Sequence, residues 1–315
     1  MSALETQMPP VQRAQVNGVE IAYYEAGPRT GVPVILCHGF PELAFSWRHQ
    51  LKAFADAGRW VIAPDQRGYG LSSRPKPVTD YDVEHLTGDL VGLLDHLGVE
   101  TAIFCGHDWG GIVVWQMALM HPERVAGVIG LNTPFMPRAP ADPIAIMRMR
   151  YGPEMYIVWF QTPGDPDRTL AADVEKTMRF FMRKPAAVEA AAAQPAASGS
   201  TFAFKELLSN WDGSDAGSQL LTPEELAVFV EAFQRTGFTG GINWYRNFTR
   251  NWERAEGLPT RIDGVPCLMI TAEKDAVLTP AMAEHMPAFI GDLEMHMVEG
   301  SGHWTQQEKP DEVNR

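Results

Sequence analysis

The sequence predicts an α/β domain built on a mostly parallel sheet and interrupted by a helical insertion. Three observations carry this expectation. Short apolar runs of strand length alternate with segments of helical period from residue 32 to residue 134. The alternation stops near Pro134 and resumes at Val265-Pro266-Cys267-Leu268-Met269-Ile270. Runs such as Val32-Pro33-Val34-Ile35-Leu36-Cys37 are continuously apolar, as strands buried on both faces are. Strands alternating with helices imply βαβ crossovers and so parallel pairing.

In chain order, Val16-Asn17-Gly18-Val19 places Asn-Gly between two alternating segments, which predicts a hairpin ending near Tyr24. The run over 32–37 follows and ends in His38-Gly39-Phe40-Pro41. Ser46 can cap a helix reaching about Ala57, and Trp60-Val61-Ile62-Ala63 forms the next strand, ending at Pro64-Asp65-Gln66-Arg67-Gly68-Tyr69-Gly70. Residues 81–97 carry Val83, Leu86, Leu90, Leu93, Leu94 and Leu97 at helical spacing. A strand over 101–105, a helix over 112–120 and a strand over 125–131 complete the first part. Residues 135–257 have helical and loop character, with Pro163, Pro166 and Pro185, and the Ala-rich stretch 186–200 reads as a helix leading into a flexible spacer. The last strand is Met295-His296-Met297-Val298. The expected organisation is a core over 1–134 and 258–315, an eight-stranded sheet with helices on both faces, and a helical cap over 135–257 inserted after the sixth strand. Only the start of a final covering helix precedes Arg315, which leaves a cut chain and an unusually short helix both open.

With 315 residues, 45% of them hydrophobic, the chain can bury a large core, and its formal net charge of -13 argues against nucleic acid or an anionic membrane face as partner. A neutral small molecule fits better. The N-terminus lacks a basic stretch followed by an apolar one, and no run approaches 18 apolar residues, so a cytoplasmic protein without membrane insertion is the expectation. Cys37, Cys105 and Cys267 lie in apolar runs without C-x-x-C spacing and read as buried, reduced side chains. The nine histidines show no H-x-H or H-E-x-x-H spacing, so no metal or other cofactor is expected. Oligomeric state is not legible.

The chemistry concentrates at Gly106-His107-Asp108-Trp109-Gly110-Gly111, between a strand and an apolar helix. Glycines on both sides of one reactive residue suit a sharp strand-to-helix turn that lifts its side chain above the sheet, the G-x-S-x-G elbow with aspartate in the serine position. A carboxylate is already ionised at neutral pH, and its attack on a saturated carbon leaves an ester on the enzyme. A capping aspartate on a plain turn is the blander alternative. His38-Gly39-Phe40-Pro41, Asp108, Glu273-Lys274-Asp275 and His303 all follow strands, in the chain order nucleophile, acid, histidine.

From about Gly39 to Arg315 the chain resembles the epoxide hydrolases of the α/β-hydrolase fold, close to the hydrolase domain of soluble epoxide hydrolases. The resemblance rests on His38-Gly39-Phe40-Pro41, Gly106 to Gly111, Leu131-Asn132-Thr133-Pro134-Phe135, Asn243-Trp244-Tyr245-Arg246-Asn247, Thr271-Ala272-Glu273-Lys274-Asp275 and Gly302-His303-Trp304-Thr305-Gln306. It implies that Asp108 opens an apolar epoxide while two cap tyrosines, Tyr156 and Tyr245, donate to its oxygen. Tyr151 is a nearby competitor for the first of these. It further implies that His303 activates water against the ester, that the backbone N–H groups of Phe40 and Trp109 hold the oxyanion, and that Asp275, with Glu273 as the competing carboxylate, orients His303. Pro41 is expected to fix the turn that aims the Phe40 N–H, with a cis bond nearby in the family. His38 and His107 read as structural hydrogen-bonders and Asp65 as a loop organiser. Phe160, Phe181, Trp211, Phe233, Phe238 and Trp244 would together give an apolar pocket. Haloalkane dehalogenases share the glycine-flanked aspartate and are the nearest alternative, and a ligand-binding protein without turnover is another.

Overall fold

Asn17 and Gly18 both take positive φ, 46° and 77°, the two-residue turn that matches strand twist. They join β1 (Gln12–Val16) to β2 (Val19–Ala26) in antiparallel register, as the Asn-Gly signal predicts. The structure is a computed structural model that describes residues 3–184, 202–213 and 219–315; the Ala-rich stretch and Pro185 lie outside these residues.

The remaining strands are β3 (Val34–Cys37), β4 (Val61–Pro64), β5 (Ala102–His107), β6 (Val125–Leu131), β7 (Cys267–Ala272) and β8 (Leu293–Val298). They form one eight-stranded sheet in the order β1-β2-β4-β3-β5-β6-β7-β8. β2 meets β4 antiparallel, and every pairing from β4 through β8 is parallel. All four residues of β3 and of β4 are buried, which explains their uninterrupted apolar sequence. The strand edges shift by a residue or two from the apolar runs. Val32, for example, lies outside β3 and is exposed.

Ser46 does not cap a helix. It sits inside a 3-10 turn, Ala44–Trp47, with its hydroxyl buried, and the helix Arg48–Asp56 begins after it. The helix predicted over 81–97 is Val83–Leu97; Asp82 caps it by accepting the His85 amide, and Gly98 ends it in the left-handed conformation. Tyr81 belongs to the preceding 3-10 turn.

Between β6 and β7 the regular elements of the described residues are helices, from Pro143–Tyr151 to Phe248–Arg254, with two isolated bridges, Arg183 to Gln219 and Ile262 to Ile290. Three polar links, two buried and one partly exposed, fasten these helices to the sheet side. Trp244 Nε1 donates to the Arg67 carbonyl at 3.1 Å, Arg250 Nε meets Asp82 Oδ2 at 2.7 Å, and Arg48 Nε meets Glu225 Oε1 at 2.9 Å. A single apolar cluster runs through both regions. Past β8 the chain makes two short helices, Thr305–Glu308 and Pro310–Val313. Among the described residues no helix is long and apolar enough to cross a membrane.

Candidate active site

Asp108 occupies the turn between β5 and the helix Trp109–Met120 at φ 52° and ψ -120°, a region that non-glycine residues rarely enter. The surrounding glycines make the turn possible. A Cβ on Gly106 would stand 2.2 Å from the Gly110 carbonyl oxygen, and one on Gly110 would stand 2.0 Å from that of Cys37. The helix thus packs backbone against backbone, and the Asp108 side chain makes no N-cap bond to it, meeting the amide of its first residue, Trp109, alone. The capping alternative is therefore not what the turn adopts.

The two carboxylate oxygens of Asp108 have different neighbours. Oδ1 accepts the Phe40 N–H at 2.7 Å, and the Trp109 amide also donates to the carboxylate. Oδ2 lies 3.8 Å from His303 Nε2. Gly39 leaves the space this requires, since a Cβ there would fall 2.4 Å from Oδ1. The Phe40–Pro41 bond is cis.

His303 Nδ1 is 2.8 Å from Asp275 Oδ2. Asp275 is held in turn by the amides of Val277 and Leu278 on Oδ1, each at 2.9 Å, and by Asn132 Nδ2 on Oδ2 at 2.7 Å. Burial pushes the Asp275 carboxyl up, but the His303 charge and these hydrogen bonds hold it well below the usual range. Burial likewise opposes a charged His303, yet the carboxylates of Asp275 and Asp108 outweigh it and raise its pKa to about 9. For Asp108 burial wins and raises the pKa, with His303, His107 and the two amides offsetting it only in part. The other carboxylate of the loop, Glu273, instead accepts the Gly300 amide at 2.8 Å.

Tyr245, in the helix Thr239–Arg246, and Tyr156, at the start of Tyr156–Trp159, are both buried. Their rings lie 5.9 Å apart and their hydroxyls share a hydrogen bond. The Trp109 indole N–H also donates to Tyr245. Burial and then the Asp108 charge raise both phenols above their ordinary pKa, so both keep their protons at neutral pH. Tyr151 is 38% exposed and packs on Phe202.

Phe160, Phe181 and Phe238 surround the Phe40 ring, whereas Phe233 stacks one layer behind on Phe238. Trp244 packs against Tyr69 and Trp109. Trp211 packs on Phe180 with Arg179 and Arg183 over its ring, so its contacts are with that neighbouring group.

His38 Nε2 accepts the Gln66 amide, and Asp65 accepts the amides of Ala44 and Leu71, as structural roles require. One residue here escaped the sequence reading. Glu42 is fully buried and joins three loops: it accepts the Gly39 amide at 2.8 Å, meets His107 Nδ1 at 2.7 Å and accepts from Gln306 Nε2 at 2.9 Å. His107 Nε2 in turn reaches the His303 carbonyl at 2.6 Å. A lone acidic residue inside the apolar stretch from His38 to Ala44 was its only sequence signal.

Residues 32–310 match the family described as alpha/beta hydrolase fold. Epoxide hydrolase A of Mycobacterium tuberculosis is 46% identical over 309 residues, covering 96% of this chain and 95% of its own. Bifunctional epoxide hydrolase 2 of Mus musculus is 42% identical over 95% of this chain, which spans 52% of that longer protein. Among solved structures, Epoxide Hydrolase A from Mycobacterium thermoresistibile aligns with a TM-score of 0.87 at 42% identity, covering 97% of this chain and 96% of that one. An epoxide hydrolase from Vigna radiata aligns at 0.84 with 32% identity, over 98% and 96%. The chain belongs to the epoxide hydrolases of the α/β-hydrolase fold family.

Proposed function

We propose that this protein hydrolyses an apolar epoxide to a vicinal diol through an ester on Asp108. The observation that carries the reading is one carboxylate with His303 3.8 Å from Oδ2, a backbone amide on Oδ1 and the charge of that carboxylate acting on two buried, protonated phenols. An epoxide oxygen leaves poorly, so ring opening needs a nucleophile on carbon and a proton donor on oxygen together. Tyr156 and Tyr245 act as the donors and Asp108 Oδ2, the oxygen on the His303 side, attacks carbon. Oδ1 then becomes the ester carbonyl, already held by the Phe40 N–H in position to stabilise the next oxyanion.

Forming the ester also prepares its hydrolysis. The resting His303 is kept cationic in part by the Asp108 charge. Alkylation removes that charge and lowers the His303 pKa, so the imidazolium gives up its proton, which balances the one the phenol passed to the epoxide oxygen; neutral His303 then takes a proton from the attacking water, while Asp275 holds the imidazolium that results. No cofactor is needed for either half.

A single turnover in heavy-oxygen water tests this. Water attacks the Asp108 Cγ, so the first diol should carry unlabelled oxygen and the label should appear in the Asp108 carboxylate. Label in the first diol would mean direct attack by water. Halide release in place of diol formation would favour a dehalogenase; against that reading, the Trp109 indole, which would form half of a halide cradle, donates to Tyr245. Tight epoxide binding with no diol at all would favour a receptor.

A further inference from the structure

Among the described residues the sheet ends on one side at β8, which ladders with β7 alone. Its backbone has a definite parity. Asp292 and Val298 use their carbonyls towards the β7 side, accepting from Cys267 and Glu273, so the even-numbered residues between them face β7. Leu293, Met295 and Met297 therefore direct their N–H and C=O groups outward along the open edge. The opposite edge, β1, carries an Arg13–Glu20 ion pair and alternates polar residues outward, the usual protection of an edge strand. On β8 there is no lysine, arginine or proline, and Met295 and Met297 are 38% and 52% exposed.

From this we infer that β8 is a homodimer interface, pairing antiparallel with β8 of a second copy about a two-fold axis at Met295. Only odd residues can form the hydrogen-bonded pairs, and that parity admits few registers. With the axis at Met295, Leu293 faces Met297 of the partner subunit, Met295 faces Met295 of the partner subunit, and Glu294 faces His296 of the partner subunit. Apolar then meets apolar on one face, and on the other the Glu294–His296 pair that each copy makes at 2.6 Å lies against its two-fold mate, acid opposite base. Moving the axis to Glu294 sets two glutamates directly opposite each other, which is unfavourable, and moving it to His296 takes Glu294 away from His296 of the partner subunit. The strand is thus self-complementary in the Met295 register, as an interface with two-fold symmetry requires. The closed pair would extend the sheet continuously through both copies.

The test is oligomeric state by analytical ultracentrifugation of the full chain at micromolar concentration, with epoxide turnover as the check that each variant is folded. The unaltered protein should sediment as a dimer. Met295→Pro removes an outward N–H without touching the β7 ladder and should give an active monomer. Glu294→Lys should weaken the dimer at least tenfold, and adding His296→Glu should restore it. Met295→Cys should form a disulfide with the same residue of the second copy on oxidation, because hydrogen-bonded partners stand about 5.5 Å apart at Cα. Met297→Cys alone, facing Leu293 of the partner subunit, should not cross-link. A monomeric unaltered protein, an active Met295→Pro dimer, or cross-linking at Met297→Cys and not at Met295→Cys would each overturn the proposal.

Discussion

At the scale of single residues, the unequal surroundings of the two Asp108 oxygens and the pair of phenols define what should fail and how. Tyr156 and Tyr245 share a hydrogen bond, so losing one leaves the other able to donate. Tyr245→Phe should slow ester formation by roughly 10²-fold, while the double change with Tyr156→Phe should cost more than the product of the single effects. Stopped-flow alkylation rates would show this, and equal losses in the single and double variants would refute shared donation. Glu42 offers a second test. Its buried charge ties the Phe40 loop, the elbow and the His303 loop together, so Glu42→Ala should destabilise the protein on the order of 3 kcal/mol, read by urea melts. The sequence announces Asp108 and His303 because glycine flanks and strand-end positions are local signals. Glu42 stayed hidden because its partners, His107 and Gln306, are 65 and 264 positions away, and no local pattern encodes that meeting.

At the scale of elements, the contrast between Ser46 and Asp82 explains which boundaries could be read. Serine and aspartate are both good caps, and each precedes an apolar helical stretch. Only Asp82 caps. It accepts the His85 amide at 3.1 Å and also holds Arg250 from the helix Phe248–Arg254 at 2.7 Å, so one side chain starts a helix and fastens another across it. Ser46 is drawn into a buried 3-10 turn by Phe45 and Trp47, which pack into the core on either side. Tertiary packing overrode local preference there. Asp82→Ala should lower stability by about 1 to 2 kcal/mol, combining a lost cap with the loss of a partly exposed ion pair to Arg250. Ser46→Ala, which removes a buried hydroxyl with no partner among the described residues, should raise the melting temperature slightly. A loss of stability in Ser46→Ala comparable to that in Asp82→Ala would contradict the assignment. The strand-helix alternation, by contrast, was legible throughout because parallel strands buried on both faces leave uninterrupted apolar runs.

At the scale of the whole molecule, folding brings carboxylates against His303 that the unfolded chain keeps apart, and this links the site to stability. The sequence could supply the three residues but not this coupling, which depends on Oδ2 of Asp108 and Oδ2 of Asp275 lying 3.8 and 2.8 Å from opposite ends of one imidazole. The His303 pKa is raised in the folded protein to about 9 from an unperturbed value near 6.5. A group raised on folding binds its proton more tightly in the native state, so its contribution is complete below about pH 6.5 and is lost as pH climbs through about 9. The full contribution is on the order of 3 kcal/mol. His303→Gln cannot carry the charge, so at pH 6.5 it should be less stable than the unaltered protein, and the gap should close by pH 10 as the native His303 loses its proton. Urea unfolding of both proteins across that range would measure it. If the two stability curves instead fall in parallel from pH 6.5 to pH 10, His303 does not rest as a cation between two carboxylates, and the account in which ester formation switches it from acid to base loses its starting state.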